Sequence, residues 1–149
     1  MARWLFKEEP DHYSFADLCR DGRTRWDGVS NNLARQHLRK VRCGDRIFFY
    51  HTGKEKAVVG LMQAVSDAMT DPDSDDPRAV VVEVEPEREL LHKVTLTEIK
   101  QDPLLADWDL VRLPRLSVVP VTEAQWKRVL ELAEEGKAER RSTRAREAR

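Results

Sequence analysis

The apolar residues of this chain come in short runs, and each run is closed by a turn former. Trp4-Leu5-Phe6 ends at Pro10, Ile47-Phe48-Phe49-Tyr50 at Gly53, and Ala79 to Val82 leads on to Pro86. Runs of this length cannot span a membrane as a helix. Their aromatic and β-branched content suits strands buried in one sheet. The chain has 149 residues, 40% hydrophobic and 36% charged, enough for one domain with one core. Met1 to Glu9 contains no apolar leader segment, and the 2 cysteines, Cys19 and Cys43, make no Cys-x-x-Cys pair. A reduced, cytoplasmic setting is expected, with no membrane association, no disulfide framework and no zinc site.

The pattern predicts strands at Arg3–Lys7, Arg46–Thr52, Ala57–Ser66, Ala79–Pro86 and Arg115–Val121. Gly60 interrupts the third, which signals a bulge or a close backbone contact. Ser14 starts a helix over Phe15–Arg20 that Gly22 stops. Residues 25–32 read as a loop, with Asn31 or Asn32 capping a helix over Leu33–Lys40. Shorter helical pieces are expected at Thr97–Gln101 and Leu104–Asp107. Thr122 and Gln125 form a capping box. The helix it opens carries Trp126, Val129, Leu130 and Ala133 on one side and is expected to stop at Gly136. Strands and helices do not alternate as βαβ units. The expected class is therefore α+β, a small curled mixed sheet or barrel with helices inserted between strands. Residues 1–136 would form the domain, and 137–149 a basic, disordered tail.

The net charge of −1 conceals local asymmetry. Residues 1–50 carry 10 Lys/Arg against 7 Asp/Glu, residues 67–89 carry 2 against 9, and residues 137–149 carry 6 against 2. Local patches set the field that a charged partner meets, so an anionic partner is compatible with this chain. The phosphate-binding and hydrolase signatures Gly-x-x-x-x-Gly-Lys-Ser/Thr, Gly-x-Gly-x-x-Gly, His-Glu-x-x-His and Gly-x-Ser-x-Gly are missing. His51 has no second histidine at ligand spacing, so neither a metal nor a cofactor is expected.

Three segments suggest a pocket: Lys7-Glu8-Glu9-Pro10, Trp26-Asp27-Gly28-Val29-Ser30-Asn31 and Phe49-Tyr50-His51-Thr52. An aromatic face beside a cation, an amide and hydroxyls is what an extruded nucleobase requires, stacking on the ring while polar groups read its edge. The same residues are also compatible with a plainer arrangement, in which Trp26 is core, Gly28 a turn and Lys7 a solvated strand end.

Trp4-Leu5-Phe6-Lys7-Glu8-Glu9-Pro10 resembles the Trp-Leu-(Met/Phe)-Lys-(Ser/Thr)-Glu-Pro opening of EVE-domain proteins, and Trp26 to Asn31 resembles their Trp-(Asp/Glu)-Gly-Val-Arg-Asn. Ala34-Arg35, Gly44-Asp45, Phe49-Tyr50-His51, Val59-Gly60 and Arg115 to Val121 follow in the family's order, so the resemblance runs from Trp4 to about Val129. It implies a PUA-like fold and a pocket for a modified base, chiefly a modified cytosine in DNA or a modified base in RNA. Family pocket roles fall on Lys7, Trp26, Gly28, Val29, Asn31, Tyr50, His51, Arg115 and Ser117. Glu8 stands where the family usually has Ser or Thr, and Ser30 where it usually has Arg.

The expected function is a monomeric, non-enzymatic module that reads one extruded modified base in DNA or RNA. Trp26 would stack on the base, and Asn31, Glu8 and backbone groups around Gly28 would meet its edge. Lys7, Arg25, Arg35 and Arg39 would meet phosphate. The alternative is a small nucleoside hydrolase, as in ASCH-type relatives, with Lys7 and Glu8 or Glu9 as its acid–base set. In a third reading, the acidic 67–89 stretch is a protein-docking surface.

Overall fold

A computed structural model of the chain describes residues 1–147, with side chains as far as Gly136. The elements in order are β1 (Arg3–Glu8), α1 (Phe15–Asp21), β2 (Thr24–Trp26), α2 (Asn32–Leu38), β3 (Arg46–His51), β4 (Ala57–Ala64), β5 (Met69–Thr70), β6 (Val80–Thr95), α3 (Leu96–Gln101), α4 (Asp109–Arg112), β7 (Val118–Val121) and α5 (Glu123–Glu147). One sheet runs β2-β6-β4-β3-β1-β7, and β5 pairs with β6 at its side. β1 and β3 are parallel, with Phe6 opposite Phe49 and Glu8 opposite His51. Every other pairing is antiparallel, which makes the sheet mixed. A parallel neighbour needs a long crossover, and α1, β2 and α2 form it.

Leu5, Phe6, Phe48, Phe49, Leu61 and Met62 are fully buried, so the central strands are covered on both faces. The edge of the core is tied by Asp45, which is itself buried. Its carboxylate accepts from Trp4 Nε1 at 3.0 Å, from the Arg42 backbone N–H at 2.9 Å and from that of Ala2 at 3.1 Å. That ring of donors satisfies a charge that burial would otherwise penalise.

Several sequence expectations change. β2 lies inside what reads as a loop, because Thr24 and Trp26 pair with Val84 and Val82 of β6. β6 runs nine residues past Pro86; the ladder to β4 shifts register between Leu61 and Met62 and absorbs the missing donor. β7 starts at Val118, leaving Arg115 and Ser117 in the preceding turn. The helical turn expected at Leu104–Asp107 is displaced to α4.

Gly60 combines both roles its position suggested. The ladder is irregular on either side of it, and a Cβ there would stand 2.6 Å from the Phe15 ring. α5 passes through Gly136 instead of ending there. A Cβ at Gly136 would stand 2.1 Å from the His92 ring, so this glycine permits close helix–sheet approach. α5 continues to Glu147 through most of the stretch expected to be a disordered tail; side chains from 137 and all of residues 148–149 lie outside the described residues.

Candidate nucleic-acid interface

The exits of β1 and β3 lie side by side, and the Trp26–Asn31 segment borders them. Alternation along β1 separates its last two side chains. Phe6 shares the face of Trp26, with ring centroids 5.3 Å apart, and Glu8 follows Phe6 on that face. A recess of about 210 Å³ opens there, lined by Glu8, His12, Tyr13, Thr24, Arg25, Trp26 and Asp27. Glu8 Oε1 accepts from the Glu9 backbone N–H at 2.9 Å and lies 3.1 Å from His12 Nδ1. Oε2 is the oxygen left for a ligand. Burial pushes the Tyr13 hydroxyl pKa up, and the hydroxyl donates to Asp21 at 2.8 Å.

Trp26 is only 5% exposed and packs edge-on against Phe49 at 5.3 Å as well as against Phe6. The expectation of a free stacking platform on a polar loop is therefore corrected. Trp26 is a core residue of β2 that offers a margin of its ring to the recess. Strand pairing makes this so, because the residue that pairs with Val82 must point inward with it.

Lys7 points the other way. Its Nζ donates to the Pro114 carbonyl at 2.9 Å and lies 5.7 Å from the Tyr50 ring centroid. Burial lowers its pKa from 10.5 to about 8. Tyr50 is buried beneath it, and burial raises the phenol pKa to about 12. Lys7 and Glu8 thus occupy opposite faces of one strand and do not meet as an acid–base pair.

His51 is corrected as a base reader. Its Nε2 accepts from the Phe15 backbone N–H at 3.0 Å, and its Nδ1 lies 2.7 Å from Glu55. Nε2 thereby holds the start of α1 against β3, and Nδ1 is engaged by Glu55 in the β3–β4 turn. Asn31 is the N-cap of α2, with Oδ1 accepting from the Ala34 N–H at 2.9 Å. Its carboxamide NH₂ is what remains for a ligand, on the edge of a second recess of about 300 Å³ that includes Leu33, Arg112, Arg115 and Leu116. Ser117 is held in the same neighbourhood by its carbonyl, which accepts from the Lys7 N–H at 2.9 Å.

Gly28, with φ +72°, turns the chain between these recesses. Gly28, Val29 and Ser30 border a third recess of about 320 Å³ whose far wall is Asp71, Ser74 and Asp76. The expected phosphate contacts, of which Arg35 lines this recess, are already partnered. Arg25 meets Asp73 at 2.6 Å, Arg35 meets Asp76 at 2.8 Å, and Arg39 donates to the Arg78 carbonyl at 3.0 Å.

The sequence placed Asp27 within a pocket segment but gave no indication of His12, Tyr13 and Thr24 as lining residues. The available signal was the short link from Pro10 to the Ser14 cap, which must fold back over the strand exit. Among the described residues no cluster of His, Cys, Asp and Glu could hold a metal ion. No described helix is long and apolar enough to cross a membrane.

Comparisons with known proteins agree with this architecture. Thymocyte nuclear protein 1 of Danio rerio is 33% identical over an alignment covering 90% of this chain and 73% of its own length. The human protein of that name is 31% identical, covering 89% and 74%. The structure of human THYN1 in complex with 5-methylcytosine-containing DNA superposes with a TM-score of 0.82 at 31% identity, covering 90% of this chain and 98% of that one. Rpa0253 from Rhodopseudomonas palustris superposes at 0.85 with 36% identity, covering 90% and 94%. An ASCH protein from Zymomonas mobilis shares the fold alone, at 0.57 and 11% identity. The EVE domain family model matches residues 2–132, and with that span matched the chain belongs to the EVE-domain family.

Proposed function

We propose that this protein is a reader of a modified base, a modified cytosine in DNA above all, and that the base enters the recess between Glu8 and Trp26. One observation carries the reading. At the exit of β1, a recess of nucleobase scale combines aromatic side chains (Trp26 and Tyr13), carboxylates (Glu8 and Asp27) and a cation (Arg25). An extruded base meets a ring margin on one side and acceptors at its edge. The Glu8 carboxylate accepts from the exocyclic amine of cytosine, a pairing that carboxylates make in DNA recognition. The complex of human THYN1 with 5-methylcytosine-containing DNA supports DNA as the partner.

Around this recess, the Gly28 to Ser30 backbone and the Asn31 amide approach the neighbouring nucleotide. Lys7, Arg25, Arg35, Arg39 and Arg115 supply positive charge for phosphate, which positions the strand without reading its sequence. His51, opposite Glu8 on β3, supports this recess, while Tyr50 and Ser117 stand by Lys7 on the other face and Val29 borders the neighbouring recess. The protein acts as a cytoplasmic monomer, and the basic stretch 137–149 adds sequence-independent affinity.

The test is a binding panel by fluorescence anisotropy, using duplexes that differ only in carrying cytosine or 5-methylcytosine, their single strands, and matched RNA. Free modified nucleosides are incubated in parallel and checked for products by chromatography. Saturable, preferential binding of a modified strand without turnover is expected. Equal affinity for modified and unmodified strands overturns the reading, and product formation replaces it with the hydrolase alternative.

A further inference from the structure

The acidic segment between β5 and β6 is not a loose solvated loop. Asp71 Oδ1 accepts from the Asp73 N–H at 2.9 Å, Ser74 Oγ from the Asp76 N–H at 3.1 Å, and Asp76 Oδ1 from the Arg78 N–H at 2.9 Å. These bonds fix the backbone so that Asp76 reaches Arg35 in the recess bordered by Gly28, Val29 and Ser30, while Asp73 reaches Arg25, which lines the recess beside Glu8 and Trp26. Arg35 is itself pinned, with Nε donating to the Val29 carbonyl at 2.7 Å. Its remaining fork is therefore presented to one anionic position, now held by Asp76. The backbone N–H of Arg78, and then Arg35, hold the Asp76 carboxyl below the usual carboxylate range, so it stays an anion.

We propose that this segment is an intramolecular phosphate mimic. Asp73 and Asp76 occupy the two arginines that a nucleic-acid backbone needs, and a strand must displace them to bind. Carboxylate and phosphate oxygens compete for the same guanidinium geometry. The consequence is a threshold. Every strand meets the same cost of opening the segment, so a strand that offers only phosphates exchanges one set of ion pairs for another and binds weakly, whereas a strand that also fills the base recess still binds. This rests on the reading proposed above that the ligand is a nucleic acid.

The test compares the full chain with an Asp73→Asn/Asp76→Asn variant, which keeps the loop's shape and removes its charge. Two probes are used: a heparin column eluted with salt, and anisotropy titrations with cytosine and 5-methylcytosine duplexes. The variant should elute at higher salt and bind both duplexes about threefold to tenfold more tightly, as expected for freeing two partly exposed ion pairs. Its preference for the modified duplex should match that of the full chain, because the same opening cost is removed from both. Asp73→Asn should gain nothing when Arg25→Gln is already present, because the pair is then absent.

Unchanged heparin retention and unchanged affinity overturn the mimic while leaving the base-reading function standing. Weaker binding by the variant also overturns it, since the loop then supports the ligand. Stronger heparin retention with no binding of either duplex sustains the mimic and removes the DNA reading.

Discussion

Trp26 shows how one side chain can belong to the core and border the site at once. It is packed between Phe6 and Phe49 and offers only a margin to the recess. Trp26→Ala should therefore cost about 3–5 kcal/mol of stability, the usual range for truncating a large buried aromatic. Chemical denaturation measures this, and a loss under about 1 kcal/mol would return Trp26 to the surface. Trp26→Phe keeps a ring in place, so its effect on binding can be read from a folded protein. The sequence pointed to the position correctly through its motif. It could not reveal the burial, because Asp27 and Gly28 make the surroundings look polar and the pairing of Trp26 with Val82 is a contact across 56 positions of the chain. Lys7 gives a second test at this scale. Burial lowers its folded-state pKa from 10.5 to about 8, so between those values the unfolded chain holds the proton that the folded chain has released. Stability must then rise with pH across that interval. Below about pH 8 both states are protonated and the burial penalty is at its full value. The wild type should gain stability relative to Lys7→Met from pH 8 to 10.5, measured by denaturant titration. A difference that does not change with pH would mean that Lys7 titrates as an ordinary surface lysine.

Among the elements, the glycine in β4 tests the packing account most sharply. Gly60→Ala places a methyl 2.6 Å from a buried phenyl ring, and overpacking of this kind costs about 1–3 kcal/mol. Thermal or denaturant unfolding should show that loss, and Phe15→Leu in the same chain should recover part of it. No loss on Gly60→Ala would mean that α1 can shift away from the sheet without cost. The strands with dense apolar runs were legible from periodicity, as were the Ser14 cap, the Gly22 stop and the capping box at Thr122 and Gln125. Three features were not. β2 is too short to carry an alternating pattern. β6 continues through Pro86 and the charged run Glu87-Arg88-Glu89, and is held there by its partner β4. Gly136 reads as a stop signal from composition, whereas its function is to let α5 approach His92. In each case a tertiary contact overrode a local signal.

At the scale of the molecule, the site is assembled where two parallel strands end and their crossover turns back. The β1–β3 pair brings Glu8 beside His51, the crossover supplies Trp26 to Asn31, and the β5–β6 segment closes the wall with its own anions. The sequence identified most of these pieces but not their grouping. Strand alternation sends Lys7 and Glu8 to opposite faces, and helix capping commits the Asn31 oxygen before any ligand arrives. The pairing of the acidic stretch with Arg25 and Arg35 was not legible because these partners lie more than forty positions away. The central claim is that a modified base occupies the recess between Glu8 and Trp26. The most direct measurement is a titration of the isotopically labelled protein with a 5-methylcytosine-containing duplex, followed by backbone amide and indole NMR shifts. The account predicts that the largest shifts, beyond those produced by the unmodified duplex, fall on Glu8, His12, Tyr13, Asp27 and the Trp26 indole. Methyl-dependent shifts confined to Asn31, Leu33 and Arg112 to Leu116, with the Trp26 indole unmoved, would contradict it.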